Sequence, residues 1–393
     1  MKKLVWFIIL ALVLVGCQNN DIENTITNTA ENTQNQTETQ VVENEETEDN
    51  SVEEVTQEET QEEETEEEET EEEETQEEEE PVEEEPVEEV VDYEALYREY
   101  KVNEAGKVVV IMYHNLADKP GAYATTPDLF RQDLERLYEE GYRTVSMSDL
   151  VNNTIDIPIG TTPVVLTFDD GAKSNFYYDE NGEIAKDCVV GILDDFYAEH
   201  EDFGRNAIFY LYGTNPFRQP ELLEKKLEYL IDNGYEIGTH SYGHEDFESL
   251  NEAGLQKSLG RNEAFIDSVL EEHDMIHLSL PFGHRPAEAY RNYLWQGSYE
   301  DTSYNIVSAV NVGWNPIASP ATSKFNPKSI NRITCGDDHM ELNYWLDDLK
   351  NNPGKRFYSD GDPSKVVVPE SQLEAVDDKY IEQTITYTES EED

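Results

Sequence analysis

Basic residues are scarce in this sequence. Its 393 residues include 27 Lys and Arg against 89 Asp and Glu, a formal net charge of −62. Residues 18–92 hold 34 of the acidic residues and no basic one, and Lys2 and Lys3 precede them. The rest of the chain therefore keeps 55 acidic residues against 25 basic ones. Nucleic-acid binding requires a basic face, so we expect no nucleic-acid partner.

Cysteine is also scarce, with Cys17, Cys188 and Cys335 as the only three. In an exported protein the last two residues can form a disulfide, and they can equally remain as buried free thiols. The sequence alone leaves both possibilities open.

The apolar run Leu4 to Val15 is shorter than the ~20 residues that span a bilayer. It follows two lysines and precedes Gly16-Cys17, which fits a secretory signal and resembles the end of a bacterial lipoprotein signal. We therefore predict a signal peptide over residues 1–17 with Cys17 as the lipidated residue; an uncleaved anchor helix is the alternative. Both predictions place the rest of the chain at the extracellular face of a bacterial membrane.

Residues 18–92 have almost no aromatic side chains and consist of Asn, Thr and Gln followed by blocks of Glu. Such a segment buries too little apolar surface to offset its ordering entropy, so we predict a disordered tether. Fully extended it would reach about 250 Å, and as a flexible coil about 50 Å, enough to lift a domain into the cell wall. Cation buffering by the glutamates is an alternative role.

Residues 93–383 have the composition of one large domain, followed by an acidic tail over residues 384–393. Apolar runs alternate with amphipathic ones, which predicts a parallel α/β sheet or barrel. The predicted strands are Val108–Tyr113, Val164–Phe168, Ala207–Tyr212, Tyr235–Thr239 and His277–Leu280, and the predicted helices are Pro127–Gly141, Glu221–Asp232 and Asn262–Leu270.

Polar groups follow several of these strands, where active residues of parallel α/β folds gather. Asp169 and Asp170 end one strand, and His240 and His244 follow another. Two imidazoles and one carboxylate make a three-ligand metal site with open positions. Taken alone, each pattern also occurs in polar loops and turns. When both patterns occur in one chain, each directly after a strand, they indicate a metal site more specifically.

The adjacent aspartates suggest two separate jobs. Neighbouring side chains of a strand point to opposite faces, so both can reach one pocket only where the strand gives way to a turn, which Gly171 permits. One carboxylate can then bind a metal while the other takes a proton from water at that metal.

Three successive motifs carry a family resemblance over roughly residues 106–335. Thr167-Phe168-Asp169-Asp170-Gly171, His240 with His244, and Leu280-Pro281-Phe282-Gly283 resemble the motifs of the polysaccharide deacetylases, the NodB-homology family or carbohydrate esterase family 4. The resemblance implies a distorted (β/α)7-type barrel and a divalent-metal hydrolase, most simply a zinc enzyme, although other first-row metals are possible.

The resemblance also implies roles for individual residues. Asp169 would be the general base, and the backbone N–H of Phe282 would stabilise the oxyanion. The metal ligands would be Asp170, His240 and His244. Trp314 and Pro281 would lie at the substrate pocket, although a core position for Trp314 is equally compatible with the sequence.

Three positions depart from the family pattern. Ser279 stands where an Arg normally orients the base, and Arg285 is a candidate substitute. Trp314 lacks the preceding acid, and the Leu-x-His that supplies the general acid is not visible. His114 and His284 are the candidates for that acid, and a structural role is equally open for each.

The sequence therefore predicts a metal-dependent deacetylase that is lipid-anchored at the cell surface and acts, as a monomer, on an acetylated polysaccharide. Peptidoglycan, a chitin-like polymer or an exopolysaccharide would each fit, through N- or O-acetyl groups. The alternative is a non-catalytic, glycan-binding or wall-associated lipoprotein that kept the barrel. A metal phosphoesterase fits less well, because only one metal site is apparent.

Overall fold

The computed structural model describes residues 91–270, 273–336 and 338–389. The predicted signal peptide with Cys17, and the predicted tether up to residue 90, lie outside these residues, so both stay predictions. Among the helices in the described part of the chain, none combines the length and apolar character that crossing a membrane requires.

Fifteen strands and seven α-helices occur in the described residues. The strands are β1 Lys107–Tyr113, β2 Asn115–Leu116, β3 Ala124–Thr125, β4 Tyr142–Thr144, β5 Thr162–Phe168, β6 Ile208–Leu211, β7 Glu236–Thr239, β8 His277–Ser279, β9 Gln296–Tyr299, β10 Thr302–Asn305, β11 Ser308–Val312, β12 Ile317–Ala318, β13 Ile330–Thr334, β14 Val366–Pro369 and β15 Thr384–Tyr387. The helices are α1 Tyr93–Tyr100, α2 Pro127–Glu139, α3 Met147–Asn152, α4 Val189–Glu199, α5 Leu223–Asp232, α6 Glu252–Asp267 and α7 Leu342–Asn351.

Seven parallel strands close into a barrel in the order β1, β5, β6, β7, β8, β11 and β13. Closure occurs at β1, which pairs with β5 on one side and with β13 on the other. Two short strands flank the barrel, with β4 parallel to β5 and β12 antiparallel to β1. The predicted (β/α)7-type barrel is confirmed.

The alternation along β5 separates the two faces of the barrel wall. Leu166 and Phe168 belong to the cluster that packs under the outer helices, where they share a core with Phe130 of α2. Val165 belongs to the cluster of the opposite, inner face. Because side chains alternate along a strand, Asp169, four residues after Val165, points to the same inner face. The alternation thus directs this carboxylate into the barrel.

Helix α2 shows how local sequence sets an element. Its N-cap Thr126 accepts a hydrogen bond from the Leu129 N–H, and proline occupies the first helical position, where a missing N–H costs nothing. The chain leaves the helix through Gly141, at φ +79°. The predicted apolar face is buried against the barrel. The helix predicted over residues 127–141 is therefore confirmed, with its end at Glu139.

The C-terminal segment continues past the predicted domain boundary. Residues 384–387, which the sequence analysis assigned to an acidic tail, form β15 and pair in parallel with β14. Tyr387 is buried, and its hydroxyl donates a hydrogen bond to the Val102 carbonyl over 2.8 Å. Threonine, isoleucine and tyrosine favour strands, which explains the extension.

Both cysteines of the domain are free thiols. Cys188 is buried, and Cys335 is half-buried after β13. Of the two possibilities that the sequence left open, the structure therefore shows free thiols rather than a disulfide.

Candidate active site

The Asp169 carboxylate lies inside the barrel and is bound by a buried arginine. Asp169 is 2% exposed, and its carboxylate accepts two hydrogen bonds of 2.7 Å each from the Arg332 guanidinium, one at each oxygen. The Ser279 hydroxyl adds a third, over 3.1 Å to Oδ2. Bidentate pairing of this kind fixes a carboxylate in both position and orientation.

Arg332 is itself fully satisfied by its surroundings. Its five N–H groups have five acceptors: both oxygens of Asp169, the hydroxyls of Thr167 and Ser279, and the Asn311 carbonyl. A buried arginine is tolerated only when it is paired and hydrogen-bonded in this way.

Sequence reasoning missed Arg332. The expected orienting arginine is absent at Ser279, and Arg285 does not replace it, since its guanidinium donates to the Asn311 side chain and the Lys328 carbonyl. The available signal was an arginine inside a β-prone run, Ile330 to Thr334, at an inward-facing position.

Asp170 reaches the site through a left-handed backbone. An extended residue after Asp169 would point outward, but Asp170 has φ +73° and Gly171 has φ +55°. This turn brings Asp170 Oδ1 to 3.5 Å from His240 Nε2 and 3.6 Å from His244 Nε2. The turn that ends the extended backbone, which the sequence predicted at Gly171, thus begins one residue earlier, at Asp170.

His240 and His244 lie after β7, on a turn in which Ser241 and His244 both have positive φ values, +67° and +56°. The Nδ1 of His240 lies 2.8 Å from the Ser279 carbonyl, a contact that requires a proton on Nδ1. The Nε2 lone pair is then free to face Asp170. Non-glycine residues in this region of φ cost about 1–3 kcal/mol each and cluster at functional sites.

The three predicted ligands fit a divalent metal. The ligand atoms of Asp170, His240 and His244 all lie within 4.8 Å of one another. A tetrahedral ion with bonds of about 2.1 Å would separate its ligands by about 3.4 Å, close to the 3.5 and 3.6 Å between Asp170 and the two imidazoles. One carboxylate and two imidazoles are also the donor set of open catalytic sites.

The charges of the site are set by burial and by Arg332. Burial alone would raise the pKa of Asp169, but the Arg332 guanidinium holds that pKa well below its usual range. Burial lowers the pKa of His240 and of His114, against the opposing effect of the nearby aspartates. The site therefore combines an ionised Asp169 with a neutral His240, the form of histidine that binds metals.

The structure separates the two candidate acids. His114 Nε2 lies 3.8 Å from Asp169 Oδ2, at the end of β1, and its side chain is 14% exposed. The His284 Nδ1 instead lies 3.0 Å from an Asp246 carboxylate oxygen, on the surface. The Phe282 ring contacts both His244 and His284, at centroid distances of 4.5 and 6.1 Å. Only His114 of the two candidates is brought to the predicted base.

The loop after β8 carries the predicted oxyanion donor. Pro281 is buried, while Phe282 has φ +59° and an exposed ring that stands edge-on to His244. The Phe282 backbone is thus held beside the predicted metal ligands. Trp314 follows β11 and is 67% exposed, which makes the core position left open by the sequence wrong.

Comparison with known proteins gives one family. The polysaccharide deacetylase family model matches residues 158–298, a segment that includes Asp169, Asp170, both histidines of the predicted ligand set and Phe282. No curated protein matches the chain.

Several solved structures are similar to this chain. The Streptococcus pyogenes deacetylase PplD, solved with acetate, is 18% identical, with a TM-score of 0.43 over 62% of this chain and 97% of that one. A polysaccharide deacetylase from Bacillus cereus is 15% identical, with a TM-score of 0.42 over 62% and 68%. A carbohydrate esterase family 4 pseudoenzyme from Bacillus anthracis is 20% identical, with a TM-score of 0.21 over 26% and 33%.

The closed barrel of seven parallel strands is the fold that the sequence motifs implied. Within the chain, residues 158–298 match the model of the polysaccharide deacetylase family, the family whose motifs the sequence resembles.

Proposed function

We propose that this domain is a metal-dependent deacetylase that hydrolyses acetyl groups of a polysaccharide. The observation that carries the proposal is the convergence of a three-ligand set with a fixed carboxylate beside it. Asp170, His240 and His244 would hold the metal, most simply zinc. When bound, such an ion polarises a carbonyl and lowers the pKa of water toward neutrality.

The residues of the chain would then divide the proton transfers. Asp169, fixed by Arg332, would accept a proton from the attacking water. His114 stands 3.8 Å from that carboxylate and would take up the proton that Asp169 has accepted and donate it to the departing amine or alcohol. The Phe282 N–H would hydrogen-bond the oxygen that becomes negative, an interaction worth about 3 kcal/mol in comparable sites.

A direct test is acetate release from acetylated peptidoglycan, chitin oligomers and exopolysaccharide. We expect release that a chelator abolishes and added zinc restores. Asp169→Asn should keep metal binding and lose turnover by a factor of at least about 100, because the proton acceptor is removed. Asp170→Asn serves as the matched variant, since it should weaken metal binding itself.

Circular dichroism and thermal melting must show that both variants fold, because Asp169 pairs with a buried arginine. If the metal-loaded wild type releases no acetate from any of these glycans, the proposal fails. If Asp169→Asn turns over at the wild-type rate, Asp169 is not the general base.

The alternative is a barrel that binds glycan without hydrolysing it. The observation that favours it is the bidentate pairing of Asp169 with Arg332, because a carboxylate stabilised in this way is a weak proton acceptor. The exposed rings of Tyr123, Phe282 and Trp314 would bind sugar in either case. Glycan binding by calorimetry, without acetate release, would favour this alternative.

We further propose that the domain works as a monomer outside the cell, lipid-anchored at Cys17 and lifted into the wall by the acidic segment. The motivating pattern is the signal-like run that ends in Cys17. Labelling with a fatty-acid analogue and fractionation of a Cys17→Ser strain test the anchor. A fully soluble, unlabelled wild-type protein would refute it.

A further inference from the structure

A cavity of about 420 Å³ opens beside the candidate active site, on the side of β1 and β13. It is lined by Met112 and His114 at the end of β1, by the loop of residues 120–125, and by residues that follow β13, among them Cys335, Asp338 and Glu341. His114 belongs to both places, since its Nε2 also lies 3.8 Å from Asp169. A group bound in this cavity would therefore lie next to a group bound at the predicted metal. We name it the β1/β13 cavity.

One wall of the β1/β13 cavity is aromatic and open to solvent. Tyr123 is 63% exposed, and its ring centroid lies 5.0 Å from that of His114. An exposed ring with a polar tip suits the apolar face of a sugar. The volume is within the range of small-molecule sites, about 300–1,000 Å³. The cavity thus has the size and the stacking surface for a sugar unit.

The charge of the β1/β13 cavity is negative. Asp133, Asp338 and Glu341 line it, and no Lys or Arg is among its described lining residues. The nearest guanidinium contact is that of Arg136 with Asn343, and this arginine already pairs with Glu140 and an aspartate of α7.

The Glu341 carboxylate is held by two neutral donors. Glu341 Oε2 accepts a hydrogen bond of 3.0 Å from the Asp338 N–H, and Oε1 lies 3.4 Å from the Thr334 hydroxyl. Asp133 is 9% exposed and accepts a hydrogen bond from Tyr113. A cationic ligand would relieve the mutual repulsion and form ion pairs with these carboxylates, which a neutral acetamide cannot do.

We propose that the β1/β13 cavity binds a sugar unit whose amino group is already free, next to the acetylated unit that is hydrolysed. This rests on the proposed function in its N-deacetylase form. Water adds to the acetyl carbonyl, the C–N bond breaks, acetate leaves, and the amine takes up a proton. The product ammonium is therefore the group that the cavity recognises, and acetyl groups would be removed in adjacent runs along the polymer.

The test compares a fully N-acetylated glucosamine tetramer with tetramers that carry one free amine at a defined position. At a pH where the amine is protonated, kcat/KM should be about tenfold higher for one positional isomer, the ratio that a single hydrogen bond to a charged group supplies. Glu341→Gln should bring this ratio close to one. Glu288→Gln, an exposed acid elsewhere, should leave it unchanged.

Binding separates this proposal from the proposed function. Calorimetry should show tighter binding of the fully deacetylated tetramer than of the acetylated one by wild type, and no such difference for Glu341→Gln. Tyr123→Ala should weaken both complexes about equally. If this pattern appears without acetate release from any oligomer, the deacetylase function fails and the cavity proposal stands. If Glu341→Gln keeps the wild-type ratio and binding difference, the cavity proposal is overturned.

Discussion

Replacing Arg332 with methionine would test whether a buried ion pair holds the predicted base. The guanidinium is 1% exposed and supplies five hydrogen bonds, two of them to Asp169. Methionine fills a similar volume but leaves Asp169 buried and without its counter-charge. The same change removes the donors that orient the carboxylate toward the metal ligands.

The magnitude follows from the environment of the pair. Breaking a fully buried pair by removing one partner costs about 3–5 kcal/mol, because the remaining charge keeps its desolvation penalty. The double variant Asp169→Asn with Arg332→Met removes both charges. We expect it to be more stable than Arg332→Met alone by about 2 kcal/mol, a strong departure from additivity.

Urea unfolding of the metal-free protein measures this cycle, since a bound metal would add its own stabilisation. Arg285→Met is the matched control: this arginine bonds only an amide oxygen and a carbonyl, so we expect a loss of about 1 kcal/mol. A loss below 1 kcal/mol for Arg332→Met, or strict additivity in the double variant, would refute the reasoning.

Two further predictions follow from buried titratable groups. Burial, aided by Asp267, raises the pKa of Glu263 from its usual 4.5 to about 7, so the folded chain holds a proton that the unfolded chain releases. The protonated Glu263 adds about 3 kcal/mol to the free energy of unfolding below pH 4.5, and this contribution is lost as the pH rises through 7. Urea unfolding at pH 4 and at pH 8 measures it, and in Glu263→Gln this pH-dependent difference in stability should be absent. Burial raises the pKa of the Cys335 thiol to about 12, and it also raises the pKa of the buried Cys188 thiol. Both thiols should therefore react with iodoacetamide far more slowly in the folded protein than in the unfolded protein, which mass spectrometry would measure. An unchanged pH slope, or rapid labelling of the folded protein, would contradict the respective prediction.

Local patterns, with the family resemblance, were sufficient to predict the candidate ligand set that the structure brings together. Asp170, His240 and His244 each follow a strand whose apolar run is visible in the sequence, and parallel strands deliver their ends to one edge of the barrel. The strands β1, β5, β6, β7 and β8 were predicted for the same reason. Their bounds differ from the predicted ones by a residue or two, as strand ends usually do.

Other elements lacked such a local signal. Strands β11 and β13 carry Asn and Arg among their apolar residues, so they do not show a simple alternating pattern. Helix α6 begins ten residues before the predicted helix, at Glu252, because Asn251 caps it and tertiary contacts bury its first turns. The predicted tail became β15 for a similar reason, since β14 offered it a partner.

The sequence by itself determined the barrel class, and it indicated the candidate ligand set and the candidate base, because each depends on residues close to a strand end. Only the tertiary structure decided that Arg332, 163 residues beyond Asp169, orients that base. It also brought His114 rather than His284 to the site, and it created the β1/β13 cavity. These features depend on which strands become neighbours when the barrel closes. The local sequence around one residue does not identify the distant residue that it will contact.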